Sequence, residues 1–292
     1  MEEPRIDKWA EWVLDRGHGG LDEPERVDLD HLGPIRDRVL DNAAIVPGDT
    51  VLDVGAGQGL IAFAALDRVG DRGTVIFSDI SESLLDHCRS TAERLGVSDH
   101  TRFVRAAAED LSPIEDASVD VVTARSVLIY VSEKEQAFRE FHRVLRPGGR
   151  LSIFEPINRY FEVREDDFWG FDASEVRDLV AKMNAYEGRD DEPDDTDPMM
   201  NFGEQDLYEW ARSAGFDEVR MTLVVERKPG SWVKDWDSLL KTAPNPNAHT
   251  VGEIIKSALT PGEASRVESV LRPVVDQQRA VMESAFAYLG AT

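Results

Sequence analysis

The residue types best placed to do chemistry crowd into one short stretch, Val51-Leu52-Asp53-Val54-Gly55-Ala56-Gly57-Gln58-Gly59. An apolar run that reads as a buried strand leads into it, and an apolar helical pattern follows. Three glycines without Cβ atoms let a backbone turn tightly and come close to a bound ligand. A second carboxylate, Asp79, ends the next apolar run about 20 residues after Gly59, where an acid can accept hydrogen bonds from ribose hydroxyls. Ser81 can cap the helix that follows, which frees Asp79 for that task. Arg125-Ser126 closes another strand-like run, and Glu155 closes the one after it. In open α/β sheets these strand ends face the ligand crevice. Glu155 is therefore a candidate general base or acceptor anchor. His18, in Arg16-Gly17-His18-Gly19-Gly20, is a second catalytic candidate, because its imidazole titrates near neutrality on a glycine-rich loop. Tyr160, Trp9 and Trp169 are the candidates for contacting an aromatic or lipophilic substrate.

The elements that must position these groups are legible as alternating periods. Residues 50–54, 73–79, 103–107, 119–125 and 150–156 read as strands. Between them, Leu84, Leu85, Cys88, Ala92 and Leu95 share a helical face, as do Ala137, Phe138, Phe141, Val144 and Leu145. Strands alternating with helices imply a mostly parallel sheet covered on both faces. Ser132 and Glu135 read as a capping box for the second of these helices. Ahead of the sheet, Ile6, Trp9 and Val13 mark one helix, and residues 31–44 a second. Past Pro156 the rhythm is lost over 157–200, which carries Tyr160, Phe161, Phe168, Trp169 and Phe171. An acidic stretch over 188–198 follows and reads as a solvated loop. A helix over 204–216 and a strong strand over 218–227 come next. Amphipathic helices over 251–259 and from Pro261 then follow, the latter broken at Pro273. The tail alternates at Val281, Ala285, Ala287 and Leu289, which predicts a returning strand beside 218–227 rather than another helix. The expected organisation is a helical lid over 1–44, a core over 45–227 with 157–200 as an irregular acceptor-side insertion, a helical cap over 228–279, and a last strand and tail over 280–292.

Composition narrows the classes of function. Of 292 residues, 57 are acidic and 33 basic, a formal net charge of −24. Such a surface repels phosphate backbones and anionic lipid, so neither nucleic acid nor a membrane is an expected partner; a small molecule is. The single cysteine, Cys88, excludes an internal disulfide and a multi-cysteine metal site, and reads as a buried small hydrophobe. No set of metal ligands is expected. No apolar run reaches the roughly 18 residues of a membrane span, and the acidic start shows no signal-peptide core. The expected compartment is the cytoplasm, and the excess of arginine over lysine points to a GC-rich bacterial source.

Together, the glycine turn, Asp79 and Leu145-Arg146-Pro147-Gly148-Gly149-Arg150-Leu151 resemble the class I S-adenosylmethionine-dependent methyltransferases of the small-molecule branch. The resemblance covers about residues 45–156. It implies a Rossmann-like, doubly wound α/β fold with a seven-stranded sheet. It implies that Asp53, Gly55, Ala56, Gly57 and Gly59 wrap the methionine part of S-adenosylmethionine. It also implies that Asp79 holds the ribose, that Ile80 packs on adenine, that Ala108 and Glu109 lie in the adenine clamp, and that Arg125 and Ser126 flank the methionine end. The clamp departs from the family pattern, since Ala107 stands where an aspartate often contacts the adenine amino group. The implied activity is methyl transfer to an O, N or C nucleophile of a small molecule, for example an aromatic natural product, with S-adenosylhomocysteine as product. Two alternatives stay open on sequence. One is a methyltransferase-fold binding protein, cyclase or decarboxylase that keeps the cofactor without methyl transfer. The other is a nicotinamide-dependent oxidoreductase, although its fingerprint G-x-G-x-x-G is not the spacing found here.

Overall fold

The computed structural model describes residues 6–18, 24–161, 164, 166–188, 196–231 and 233–292, and the side chains of all of these except 18 and 24–31. In chain order the elements are α1 (Lys8–Leu14), α2 (Pro24–Asn42), β1 (Thr50–Val54), α3 (Leu60–Val69), β2 (Thr74–Asp79), α4 (Glu82–Leu95) and β3 (Thr101–Arg105). Then come β4 (Val119–Arg125), α5 (Lys134–Val144), β5 (Leu145–Pro156), β6 (Asp167–Phe168), β7 (Phe171–Asp172), α6 (Arg177–Tyr186) and α7 (Glu204–Ala214). The last are β8 (Val219–Pro229), α8 (Trp236–Lys241), α9 (Val251–Ala258), α10 (Pro261–Asp276) and β9 (Val281–Ala291). The chain divides into two compact units: residues 25–160, 195–224 and 285–292 form a sheet unit, and residues 1–24, 161–194 and 225–284 a helical unit.

Seven strands run in the order β3-β2-β1-β4-β5-β9-β8. β1 pairs in parallel with both β2 and β4, β2 with β3, and β4 with β5, whereas β9 pairs antiparallel with β5. Strands β1, β2 and β4 are buried almost throughout, as strands covered on both faces must be. The edge strands β3 and β8 are half exposed, and β8 alternates for most of its length. Helix α4 shows why the helices form where they do. Ser81 caps it by accepting from the amide of Leu84 at 3.1 Å, Gly96 ends it in the left-handed region at φ 72°, and Leu84, Leu85, Cys88 and Ala92 are its buried face. The core under the glycine turn joins Val51, Ile61, Ala65, Phe77, Leu85 and Val121. Full burial of each large side chain there contributes about 1.5–3 kcal/mol.

The structure redraws several boundaries. Residues 1–44 are not one lid. α2 places Val39, Leu40 and Ala43 in the sheet unit's core, and the Ser152 hydroxyl donates to the Val39 carbonyl at 2.7 Å. α1 belongs to the helical unit, where Trp12 Nε1 donates to the Ala243 carbonyl and the Ala243 amide to the Arg16 carbonyl, both at 2.9 Å. Within the expected irregular stretch lie the β6–β7 hairpin and α6. Leu179, Val180 and Met183 bury one face of α6 beside Trp236, Val267 and Leu271. Pro273 does not break α10, because its missing amide removes one bond while Leu271 and Val275 keep the helix docked to Asp276. The expected Ser132–Glu135 box is replaced by a start one residue later, with Glu133 as the N-cap and no side-chain cap bond. At α10 the Thr260–Glu263 box forms as its spacing requires, with Pro261 in the first turn. Most of the acidic stretch and Trp232 lie outside the described residues.

Candidate functional site

The strand order reverses between β1 and β4, and the crevice at such a switch point, outside the carboxyl ends of the strands, is where open α/β sheets take ligands. The glycine turn lies there. Gly55, Gly57 and Gly59 all sit in the left-handed region, at φ 64°, 56° and 92°. Their surroundings differ. A Cβ on Gly55 would overlap the side chain of Val127, and one on Gly59 would overlap the ring of Phe63. A Cβ on Gly57 would meet nothing within 4 Å. Gly55 and Gly59 are thus required by the protein's own packing, while Gly57 borders open space.

Buried polar groups fix the turn from below. The Gly57 amide donates to Asp79 Oδ2 and the Ser81 amide to Asp79 Oδ1, each at 2.9 Å. The Cys88 thiol donates to the Gly57 carbonyl at 3.2 Å, and the Ala56 amide to the Ser78 carbonyl at 2.9 Å. Asp79 is itself buried, at 6% exposure, and both of its carboxylate oxygens accept from backbone amides. Ile80 beside it is 41% exposed, an apolar surface suited to the face of a planar base. Asp53 is fully buried and accepts from the Thr123 hydroxyl at 2.7 Å, a bond that ties β1 to β4. Burial pushes its carboxyl up to about 7 against the opposing pull of Thr123 and Arg125. Burial likewise pushes the Cys88 thiol up to about 12.

The segment after β3 is held by several hydrogen bonds. The Ala106 amide donates to the Asp79 carbonyl at 3.1 Å, and Arg105 Nε to the Ile80 carbonyl at 3.1 Å. Ala108 is buried and Glu109 half-buried. Glu140 accepts from the Leu111 amide at 2.8 Å, while Arg143 donates to the carbonyls of Leu111 and Ile114. After β4 the chain turns sharply through Ser126, a non-glycine residue at φ 54°, and enters a 3-10 turn over Leu128–Tyr130. Arg125 lies near both buried acids and opposes the upward shift of each.

The expected residues therefore separate. Asp53, Gly55, Ala56, Gly57, Gly59, Asp79, Ile80, Ala108, Glu109, Arg125 and Ser126 all belong to the sheet unit and lie on the turns that follow β1, β2, β3 and β4 or at the ends of those strands. Asp53, Ala108, Asp79 and Ala56 are all buried, with exposures of 2%, 4%, 6% and 8%, and Ala56 packs into the core under the turn. Glu155 is no exposed base. It is completely buried, and its carboxylate accepts from the amides of Val127, Leu128 and Ile129 at 2.9, 3.0 and 3.3 Å. Desolvation pushes it up to about 7 against those three amides. His18 ends a 3-10 turn over Arg16–His18 in the helical unit, and its side chain lies outside the described ones. Tyr160 follows β5 in the sheet unit and is 45% exposed. Trp9 and Trp169 belong to the helical unit. Trp169, at φ 59° and stacked on Phe168, lines a cleft of about 730 Å³ with Arg279 and Met282. Trp9 carries the Lys8 ammonium 5.7 Å from its ring centroid. Thr123, Cys88 and Val127 are the supporting residues that the sequence pattern missed. Thr123 and Cys88 hide in apolar periodicity, and Val127 carries no polar signal at all.

The seven-stranded order with β9 antiparallel beside β5 is the Rossmann-like sheet also found in solved methyltransferase structures. Residues 52–153 match the methyltransferase domain family, and that segment is similar to class I, S-adenosylmethionine-dependent methyltransferases. The nicotinamide alternative falls with that match. The chain is 39% identical over 116 residues to the ubiquinone/menaquinone biosynthesis C-methyltransferase UbiE of Citrobacter koseri, covering 40% of this chain and 46% of that one. It is 34% identical over 130 residues to the Vibrio vulnificus UbiE, covering 42% and 50%. The match thus spans about half the length of these relatives. Among solved structures, the YcgJ protein of Bacillus subtilis superposes with a TM-score of 0.54 at 17% identity, covering 89% of this chain and 97% of that one. A geranyl diphosphate methyltransferase in complex with S-adenosylmethionine gives 0.53 at 19%, covering 98% and 95%. The [4+2]-cyclase SpnF gives 0.52 at 20%, covering 88% and 79%. At these identities the likeness is one of fold. Among the described residues, no helix is long and apolar enough to cross a membrane, and no group of three or more His, Cys, Asp or Glu side chains is placed to hold a metal ion.

Proposed function

We propose that this chain transfers the methyl group of S-adenosylmethionine to an O, N or C nucleophile of a small molecule. The observation that carries the reading is the contrast at the glycine turn: Gly57 alone of the three borders open space, whereas Val127 closes off Gly55 and Phe63 closes off Gly59. A ribose-bearing sulfonium fits that chemistry, since hydroxyls need acceptors and a close-approaching chain needs a backbone without a Cβ. When bound, the cofactor supplies an electrophilic methyl on a positively charged sulfur. The protein's part is to hold and orient. Asp79 binds hydroxyls, Ile80 offers an apolar face, and the Gly55–Gly59 turn fixes the backbone against which the ligand lies. Most of the acceleration then comes from orientation and from excluding water. An acceptor that carries a proton at neutral pH loses it to solvent or to a group outside the cofactor turn, because Glu155 spends its carboxylate on backbone amides. Tyr160, exposed just past β5, is the sheet unit's acceptor-contacting candidate. The sequence match to the quinone C-methyltransferases lies in the cofactor-binding segment, so it supports the donor and not a quinol acceptor. The acidic chain favours a freely diffusing acceptor over nucleic acid or an anionic membrane.

The test is calorimetry with S-adenosylhomocysteine, followed by incubation with methyl-labelled S-adenosylmethionine and a panel of phenols, amines and quinols. Binding plus label in one acceptor class is the expected result. No binding overturns the cofactor reading. Binding without transfer to any acceptor class moves the protein to the cofactor-retaining, non-methylating alternative.

A further inference from the structure

The segment after β4 is held in a conformation that it would not adopt unaided. Ser126 sits in the left-handed region at φ 54°, which costs an L-residue energy unless its surroundings enforce it. The Ser126 amide donates to the Phe154 carbonyl at 2.9 Å, and the next three amides, of Val127, Leu128 and Ile129, converge on one carboxylate. That carboxylate, Glu155, comes from the end of the neighbouring strand β5 and is wholly buried. The consequence reaches the crevice through Val127. Its side chain stands against Gly55, so closely that a Cβ there would overlap it. Gly55 in turn opens the turn that carries Gly57.

We infer that Glu155 is a positioning residue for cofactor binding: by gathering the amides of residues 127–129 it seats the Val127 side chain against Gly55 and so sets the shape of the glycine turn. The inference rests on the cofactor reading above and assigns no proton transfer to Glu155. Its chemistry is specific. Oε1 accepts from both Val127 and Leu128, and Oε2 from Ile129 alone. A glutamine can keep the first two bonds through its carbonyl oxygen and must lose the third. An alanine loses all three.

The experiment measures the dissociation constant of S-adenosylhomocysteine on samples shown to be folded by circular dichroism, for the full chain and for Glu155→Gln, Glu155→Ala, Val127→Ala and the Glu155→Ala/Val127→Ala double variant. The expected ranking is a loss of about threefold for Glu155→Gln and at least thirtyfold for Glu155→Ala. The double variant should be little worse than Glu155→Ala alone, since both changes act through the same contact. A residue that merely stabilises the fold would lower the melting temperature and leave the affinity of the folded protein where it was. That result, or fully additive losses, overturns the inference. If Glu155→Ala does not fold, Glu155→Gln decides. A thirtyfold or greater loss of affinity in Glu155→Gln, or turnover abolished with affinity kept, overturns it, the latter by returning Glu155 to acid–base chemistry. If the unaltered chain binds no S-adenosylhomocysteine, the cofactor reading itself fails and this inference goes with it; if the unaltered chain binds and only the ranking fails, the cofactor reading stands.

Discussion

Substituting alanine at each of the three glycines of the turn separates what the ligand needs from what the fold needs. All three have positive φ, so each alanine carries a backbone cost of roughly 1–2 kcal/mol. At Gly55 and Gly59 the new methyl also overlaps Val127 or Phe63. Overpacking of that kind adds about 1–3 kcal/mol, so these two variants are expected to lose about 2–5 kcal/mol of stability. At Gly57 nothing of the protein lies within 4 Å of the new methyl, so only the backbone cost applies. The space it enters is the space assigned to the cofactor. A methyl projecting there should weaken S-adenosylhomocysteine binding by about ten- to a hundredfold, or about 1.4–2.7 kcal/mol. Urea denaturation gives the stabilities and calorimetry the affinities. The expected pattern is crossed: Gly57→Ala is the most stable of the three, yet binds clearly worse than the unaltered protein. If folded Gly57→Ala binds S-adenosylhomocysteine with unaltered affinity, the open space beside Gly57 is not the cofactor's and the site must be redrawn.

Asp79→Ala strands the Gly57 and Ser81 amides and removes the ribose acceptor, at about 1.5–3 kcal/mol for each charged hydrogen bond lost; calorimetry should show affinity reduced more than tenfold, and an unchanged value would end the ribose assignment. Cys88 is buried with its thiol pushed up to about 12, so a thiol reagent should label it only as fast as the protein unfolds, and rapid labelling under native conditions would contradict its place beneath Gly57. Asp53, raised to about 7, keeps in the folded state a proton that the unfolded chain releases near pH 4, so its contribution makes unfolding free energy fall as pH rises from about 4 to 7 and level off above that, with a slope of up to about 1.4 kcal/mol per pH unit. Asp53→Asn should flatten that decline in denaturation series at pH 4.5, 6 and 7.5, and a variant with the same slope would show that Asp53 is ionised throughout.

The glycine turn and the acid that holds it were legible because they are local. The turn after β1 has glycine at every second position from 55 to 59, and the acid after β2 stands 20 residues beyond the last of them, so both follow from spacing alone. The central strands announced themselves as short apolar runs, and β1 and β4 keep the bounds that the sequence predicted. The helical unit was read less well, for a physical reason. Its core draws on residues from the middle and from the end of the chain, Phe171 and Leu179 together with Trp236 and Leu271, and no local period records which distant face each one meets. The same limit explains α2, whose place against the sheet depends on Val39 meeting Ser152 across more than 100 residues.

Glu155 shows the limit most clearly. At the end of a central strand, a carboxylate has two uses: it can face the crevice as a base, or it can turn inward and organise the neighbouring loop. Sequence separates these poorly, since both require the same residue at the same register. What decides is the supply of donors. The segment after β4 presents three successive amides that its 3-10 turn does not bond internally, and buried amides without acceptors cost more than a buried carboxylate that satisfies all three. The loop's unmet hydrogen bonds therefore claim the acid, and the catalytic assignment gives way to a structural one. The same logic applies to Asp53, whose partners are the Thr123 hydroxyl and the start of α3 rather than solvent. Both acids that a search for catalytic carboxylates would select first thus serve to hold backbone in place. This fits a reaction whose rate depends mainly on how accurately two partners are held.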